Sequence, residues 1–147
     1  MTYDEKVQWL RRYQDSLRRE QELAEEVEQL RARACKVTPA LTGMPGCPSD
    51  GQSLPRAVEN IVQVQQELQC QINQCGAVRR EIVAALNQVS NPRDHEILRR
   101  KYLLNETWEK IAVAMYYSYK QVRRRHRACV EALTLPDVGK DVLQCPI

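Results

Sequence analysis

Basic side chains recur at helical spacing near the end of this 147-residue chain. They lie three or four residues apart and so share one side of a helix: Lys120, Arg123, Arg124 and Arg127. The other side is predicted to pack inside the protein, with residues at intervals of four, three and four: Val122, His126, Cys129 and Leu133. Arginine and lysine donate hydrogen bonds to phosphate oxygens and to guanine O6 and N7. This helix therefore has the chemistry of a surface that binds an anionic polymer.

A second short helix is predicted immediately before it, separated by a tight turn. Thr107 and Ser118 can act as N-caps of the two helices, because a hydroxyl accepts from a free backbone N–H of the first turn. The first of the two helices has an apolar face: Ile111, Ala112 and Met115. A short helix, a short turn and a helix with a cationic outer side form the pattern of a helix-turn-helix, spanning 107–133.

The sequence predicts a three-helix unit around this pattern. Asn91-Pro92 ends one helix and starts another, because proline disfavours helix in the preceding residue and suits a first turn. The predicted helices are 92–103, 108–115 and 119–134, in a domain of residues 91–135. Residues 91–135 carry ten Lys/Arg against five Asp/Glu, whereas residues 1–90 carry eleven against twelve. The positive charge thus coincides with the helix-turn-helix pattern.

Two long helices are predicted in residues 1–90, at Tyr3–Ala34 and Pro55–Val89, joined by a Pro- and Gly-containing loop at 36–54. The second helix has a heptad seam: Ile61, Gln65, Leu68, Ile72, Cys75, Arg79, Ile82, Leu86 and Val89. Similar helix lengths favour an antiparallel coiled-coil hairpin, and a seam that pairs across a homodimer is the alternative. The fold class is therefore all-α, with a C-terminal tail at 136–147 of no clear periodicity.

Other function classes find little support in the sequence. It contains no Gly-rich phosphate loop, no nucleophile set at usable spacing and no acidic cluster for a metal, so we expect neither an enzyme nor a cofactor. No apolar run approaches the roughly 20 residues that span a bilayer, and the polar N-terminus lacks a signal-peptide core. We therefore expect a cytoplasmic protein that does not contact a membrane. The six cysteines form no C-x-x-C pair, and we expect free thiols, with a zinc site or a structural disulfide as the alternative.

Two segments carry a resemblance to a known family. Residues 95–112 (HEILRRKYLLNETWEKIA) and 117–129 (YSYKQVRRRHRAC) are similar to the fourth region of bacterial sigma factors, which binds the −35 promoter element. Over nearly its full length the chain resembles phage and prophage sigma-like proteins related to RinA/ArpU-type late-gene activators. The loop KVTPALTGMP and the ending KDVLQCP extend that likeness.

The resemblance implies a set of contacts with double-stranded DNA. Base-facing positions would be Tyr119, Lys120, Arg123 and Arg124, and phosphate-facing ones Thr107, Lys110, Gln121 and Arg127, with Ser118 at the helix start. Two positions depart from sigma factors, which usually have glycine where Tyr116 stands and an apolar residue where Arg125 stands. The sigma region that melts promoters has no counterpart here.

The sequence thus favours a DNA-binding transcription regulator that acts with host RNA polymerase. The alternative is a coiled-coil interaction protein whose helix-turn-helix serves protein contacts. Binding to duplex DNA that weakens with salt separates the two interpretations.

Overall fold

The computed structural model describes residues 1–40 and 53–136, without the side chains of 36–40, 53 and 54, and these residues are all-helical. Five α-helices follow one another along the chain: α1 Tyr3–Ala40, α2 Ser53–Leu86, α3 Pro92–Tyr102, α4 Trp108–Met115 and α5 Tyr119–Ala132. The all-α prediction is confirmed. Most of the predicted loop, and the predicted tail after residue 136, lie outside the described residues.

The two long helices differ from their predicted bounds at three ends. Helix α1 continues to Ala40, so the loop predicted from residue 36 begins too early. Residues 35–40 contain one proline and no glycine, so few helix-breaking residues oppose the continuation of α1. Helix α2 starts at Ser53 with Pro55 in its first turn, where a missing N–H costs little, and it ends at Leu86 rather than Val89.

The chain forms two compact units, and each contains part of both long helices. The first unit consists of Met1–Ser16 and the chain from Cys75 onward, and the second is Leu17–Gln74. The predicted domain boundary at residue 90 lies inside the first unit. Periodicity did not indicate this division, because it depends on which distant segments pack together.

The first unit has two apolar clusters. One joins both long helices to α3 and α5: Trp9, Leu10, Ile82, Ala85, Leu86, Leu98, Tyr102, Val130 and Leu133. The other joins α3, α4 and α5: Ile97, Ile111, Ala112 and Val122. Helices α3, α4 and α5 contact one another in all three pairings. The ends of the long helices therefore share a core with α3 and α5, and a second core joins α4 to the same two short helices.

The second unit has a smaller core made only by α1 and α2. Leu23 and Val27 pack against Val64, with Leu30 and Leu68 half-buried around them. The seam prediction fails at Ile72 and Arg79, which are exposed, and it omitted Val64, which is buried. A strict heptad repeat drifts around a straight helix, so a seam extrapolated over four heptads leaves the buried side in places.

The described cysteines differ in whether they form a disulfide. Cys35, Cys75 and Cys129 are not disulfide-bonded, as predicted. Cys70 is disulfide-bonded, so the prediction of free thiols is wrong at this position. A disulfide requires two cysteines close in space, and sequence spacing does not indicate that proximity.

Candidate nucleic-acid interface

Helix α5 begins with a capping box that fixes its first turn. The Gln121 backbone N–H donates to Ser118 Oγ at 3.2 Å, and the Ser118 backbone N–H donates to Gln121 Oε1 at 3.0 Å. Thr107 caps α4 in a similar way, because its Oγ1 accepts from the Lys110 backbone N–H at 3.3 Å. Both predicted caps are confirmed. Three of the predicted DNA-binding residues thus also hold helix ends in place.

The outer side of α5 carries exposed cations. Lys120 and Arg124 are exposed one turn apart, on the side opposite the buried Val122 and His126. Both positive charges therefore face solvent in the first half of α5. Both are predicted base-facing residues, and both side chains are accessible to a large anionic partner.

Arg123 is held by aromatic neighbours at the edge of this outer side. Its Nη1 donates to Tyr119 Oη at 3.0 Å, and its guanidinium lies 5.3 Å from the Trp108 ring centroid. An arginine restrained in this way loses less side-chain entropy when it binds a further group. Tyr119 and Arg123 therefore form one restrained pair rather than two independent contacts.

The remaining predicted cations already have carboxylate partners. Arg127 donates from Nε to Glu131 Oε1 at 2.9 Å, and Lys110 Nζ lies 3.8 Å from Glu106 Oε1. The Arg127 pair is exposed, and such pairs contribute little to stability. Lys110 is also exposed, whereas Glu106 is mostly buried and has Arg100 as a second partner at 3.2 Å. Either cation can exchange its carboxylate for a phosphate at small cost. Arg127 and Lys110 are therefore both free to contact a phosphate, as the resemblance implies, once the carboxylate is displaced.

The two departures from sigma factors lie in the connection from α4 to α5 and within α5 itself. Tyr116 adopts a left-handed conformation, with φ of 57° and ψ of 37°, at the position where glycine is usual. Arg125 donates from Nη1 to Asp94 Oδ1 of α3 at 2.8 Å and lies 5.0 Å from the Tyr117 ring. A charged residue is accommodated there because α3 supplies a carboxylate for it.

His126 lies behind this surface and joins several helices. Its Nε2 is 2.6 Å from Tyr102 Oη, its Nδ1 is 3.5 Å from Tyr3 Oη, and Trp108 packs edge-on against its ring at 4.7 Å. Burial, together with the charges of Lys101, Arg123 and Arg11, lowers the His126 pKa from 6.5 to about 4. The ring is therefore neutral at pH 7, so one tyrosine hydroxyl donates to it and the other accepts from it.

A basic cleft that the sequence did not indicate lies next to α5. The basic cleft has a volume of about 450 Å³ and is bordered by Arg11 of α1, Lys101 of α3, Trp108 of α4, and Arg123 and His126 of α5. Arg11 and Lys101 were not among the predicted site residues. Arg11 and Lys101 lie 112 and 22 residues from Arg123 in the sequence, so their presence in one cleft depends on tertiary packing, which no local motif records.

Two further features are absent from the described residues. No three of their His, Cys, Asp or Glu side chains are grouped so that they could hold a metal ion. No helix among them is long and apolar enough to cross a membrane. Comparison of the chain with family models, curated proteins and solved structures gave no match.

Proposed function

We propose that this protein is a DNA-binding transcription regulator of phage type. In this proposal α4 and α5 form a helix-turn-helix that resembles sigma factor region 4, and α5 lies in the major groove. The observation that carries the proposal is the outer side of α5, where Lys120 and Arg124 are exposed while the opposite side is packed. Such a helix can place cationic donors against base edges without disturbing its own core.

The arrangement around α5 supports the same proposal. Helices α4 and α5 contact each other and are separated by three residues, Tyr116–Ser118. Helix α3 contacts both of them, and both N-caps are formed by hydroxyl side chains. A helix-turn-helix has a short connection of this kind between two packed helices.

The long helices supply the rest of the proposed mechanism. In the first unit the start of α1 packs against the end of α2, with Arg12 Nη2 2.6 Å from Glu81 Oε2, which supports an antiparallel hairpin. We infer that the hairpin contacts host RNA polymerase or forms a homodimer. Val58, Val62 and Ile72 support the dimer, because they are exposed apolar residues on one side of α2.

A regulator of this kind acts in the bacterial cytoplasm, where disulfides are uncommon. The disulfide at Cys70 makes the redox state a necessary variable in any assay. We expect DNA binding to persist under reducing conditions, because Cys70 lies in the second unit and α5 in the first.

The direct test is footprinting on phage genomic DNA, followed by titration of the protected site. Arg124→Gln should weaken binding to that site by about 1–3 kcal/mol for the lost base contact. Arg18→Gln is the matched control, because Arg18 is exposed on α1 in the second unit. Equal affinity of the Arg124 variant and the wild type, with both folded, would remove α5 from the interface.

Transcription assays test the polymerase part of the proposal. Core polymerase plus this protein should give no open complex, whereas holoenzyme plus this protein should give more transcript than holoenzyme alone. The proposed module resembles only the −35-binding part of a sigma factor and has no counterpart of the part that melts DNA. Open complexes with core polymerase alone would instead make the protein a minimal sigma factor.

One observation favours the alternative of a protein-contact module. Val113 and Tyr116, at the end of α4, are exposed to 78% and 96%, and exposed apolar side chains are common at protein interfaces. A protein that acted only in this way would show no salt-dependent binding to any duplex. Titration of the protein with duplex DNA at several salt concentrations therefore decides between the two functions.

A further inference from the structure

The basic cleft brings three positive charges together from three helices. Arg11, Lys101 and Arg123 belong to α1, α3 and α5, and all three border the same cavity. Asp4 is the acidic residue that borders it as well. The basic cleft is thus positively charged, although α1 as a whole is rich in glutamate.

These three cations differ from other arginines of the first unit. Arg12 pairs with Glu81 at 2.6 Å, and Arg125 pairs with Asp94 at 2.8 Å. Within the described part of the chain, none of the three cleft cations forms an ion pair with a carboxylate. Their positive charge therefore remains largely uncompensated.

Aromatic and backbone groups position two of the cations. Lys101 Nζ lies 4.4 Å from the Trp108 ring centroid and 3.5 Å from the Glu106 carbonyl oxygen, and Arg123 lies over the same indole. Burial and then the charges of Arg11 and Arg123 lower the Lys101 pKa, while Glu109 acts in the opposite direction. An anion in the basic cleft would relieve this repulsion between like charges.

We propose that the basic cleft binds a phosphate group, which in the DNA complex is a backbone phosphate beside the α5 contact. The inference rests on the proposed function and extends the DNA-binding surface to α1. Arg123 belongs both to the outer side of α5 and to the basic cleft, so one phosphate next to α5 can be reached by Arg11 and Lys101. Phosphate oxygens accept hydrogen bonds from both guanidinium and ammonium groups.

The test is the salt dependence of duplex binding for Arg11→Gln, Lys101→Met and their double variant. Each phosphate contact contributes about 0.9 to the slope of log K against log salt concentration. We expect each single variant to lower the slope by about 0.9 and the double variant to lower it by no more, because both residues serve one phosphate. Arg18→Gln, the exposed control on α1, should keep the wild-type slope.

The outcomes separate this inference from the proposed function. Wild-type slopes in all three cleft variants, together with weaker binding by Arg124→Gln, would overturn the basic cleft and leave the α5 interface in place. A wild-type protein that binds no duplex would overturn the proposed function. Thermal melting in inorganic phosphate and in chloride at equal ionic strength then tests the basic cleft alone. If phosphate raises the melting temperature of the wild type but not that of Arg11→Gln, the basic cleft binds free phosphate. If phosphate shifts the melting temperature of the two proteins equally, free phosphate does not bind in the basic cleft.

Folding of the variants is controlled independently of binding. Arg11 is exposed, so glutamine at this position should leave the circular dichroism spectrum unchanged. Methionine at position 101 keeps an unbranched apolar stem against Trp108 while it removes the charge. If the Lys101 variant loses helicity, the Arg11 variant alone decides the inference.

Discussion

The two compact units use the same pair of long helices but bury their side chains to different extents. In the first unit, Leu10, Ile82 and Leu98 are fully buried, because α3 and α5 cover the sides that α1 and α2 leave open. In the second unit only the two long helices contribute, and Leu68 is half-buried while Ile72 is 40% exposed. A helix pair buries one stripe on each helix, whereas several packed helices enclose a side chain on all sides.

The largest expected effect comes from equal truncations in the two units. Leu98→Ala should lower the free energy of unfolding by about 2–5 kcal/mol, because it leaves a cavity that surrounding helices cannot fill. Leu68→Ala should cost less than about 2 kcal/mol, since its half-buried side chain loses less contact with protein. Chemical denaturation followed by circular dichroism measures both values. Equal losses would mean that the second unit is as closely packed as the first.

Sequence patterns predicted the short helices well because their ends are determined locally. Asn91 caps the helix that begins with Pro92, and its Oδ1 accepts from the Arg93 N–H at 3.0 Å. Thr107 and Ser118 cap the next two helices as expected. These signals need only residues within one turn, so a single sequence contains them.

The packing of distant segments was much less predictable. Trp9 and Val130 are buried in the same cluster although neither belongs to a predicted apolar stripe. His126 was expected on the inner side of its helix, but its tyrosine partners lie 24 and 123 residues away. The basic cleft has the same origin, since Arg11 borders it only through tertiary packing. Periodicity identifies an inner side but does not indicate which segment covers it.

The second prediction concerns pH and depends on the buried imidazole that distinguishes the first unit. The His126 pKa is about 4 in the folded protein and 6.5 in the unfolded chain, so between these values the unfolded chain binds more protons. The contribution of the neutral His126 ring to the free energy of unfolding is complete above pH 6.5. It declines as the pH falls toward 4, by roughly 3 kcal/mol in total. Thermal melting of the wild type across this range measures it.

A non-titrating variant and the carboxylates provide controls for this pH effect. His126→Phe should be less stable at pH 7, because it removes the hydrogen bond with Tyr102, and its stability should change less between pH 6.5 and 5. The hydrogen bond from Arg99 lowers the pKa of Glu96 below 4.5, so stabilisation by Glu96 is lost only at lower pH. The same pH dependence in the wild type and the Phe variant would exclude His126 as its source.

The third prediction uses the exposed side of the second unit. Ile72→Asp should change the stability of the monomer by less than about 1 kcal/mol, because the side chain already contacts water. If Val58, Val62 and Ile72 form the proposed dimer interface, the variant should sediment as a monomer at concentrations where the wild type is dimeric. Val113→Asp is the matched control, since Val113 is exposed on α4 in the first unit. A dimer that Ile72→Asp leaves intact would place the interface elsewhere.

The smallest expected effect lies in the connection between α4 and α5, where one residue carries backbone strain. Tyr116 has a φ of 57° and is 96% exposed, so its ring contributes little packing to offset the unfavourable left-handed conformation. That conformation costs a non-glycine residue about 1–2 kcal/mol. Glycine avoids this cost, but it increases the entropy of the unfolded chain, which makes folding less favourable by about 0.5–1 kcal/mol. Tyr116→Gly should therefore stabilise the first unit by up to about 1 kcal/mol. Asn105→Gly is the matched control with a φ of 52°, and it should change stability less, because asparagine tolerates this conformation. If Tyr116→Gly melts above the wild type yet activates transcription less, the exposed tyrosine is retained for contact with a partner. If stability and activity rise together, the tyrosine has no such contact, and the strain at this turn serves neither folding nor binding.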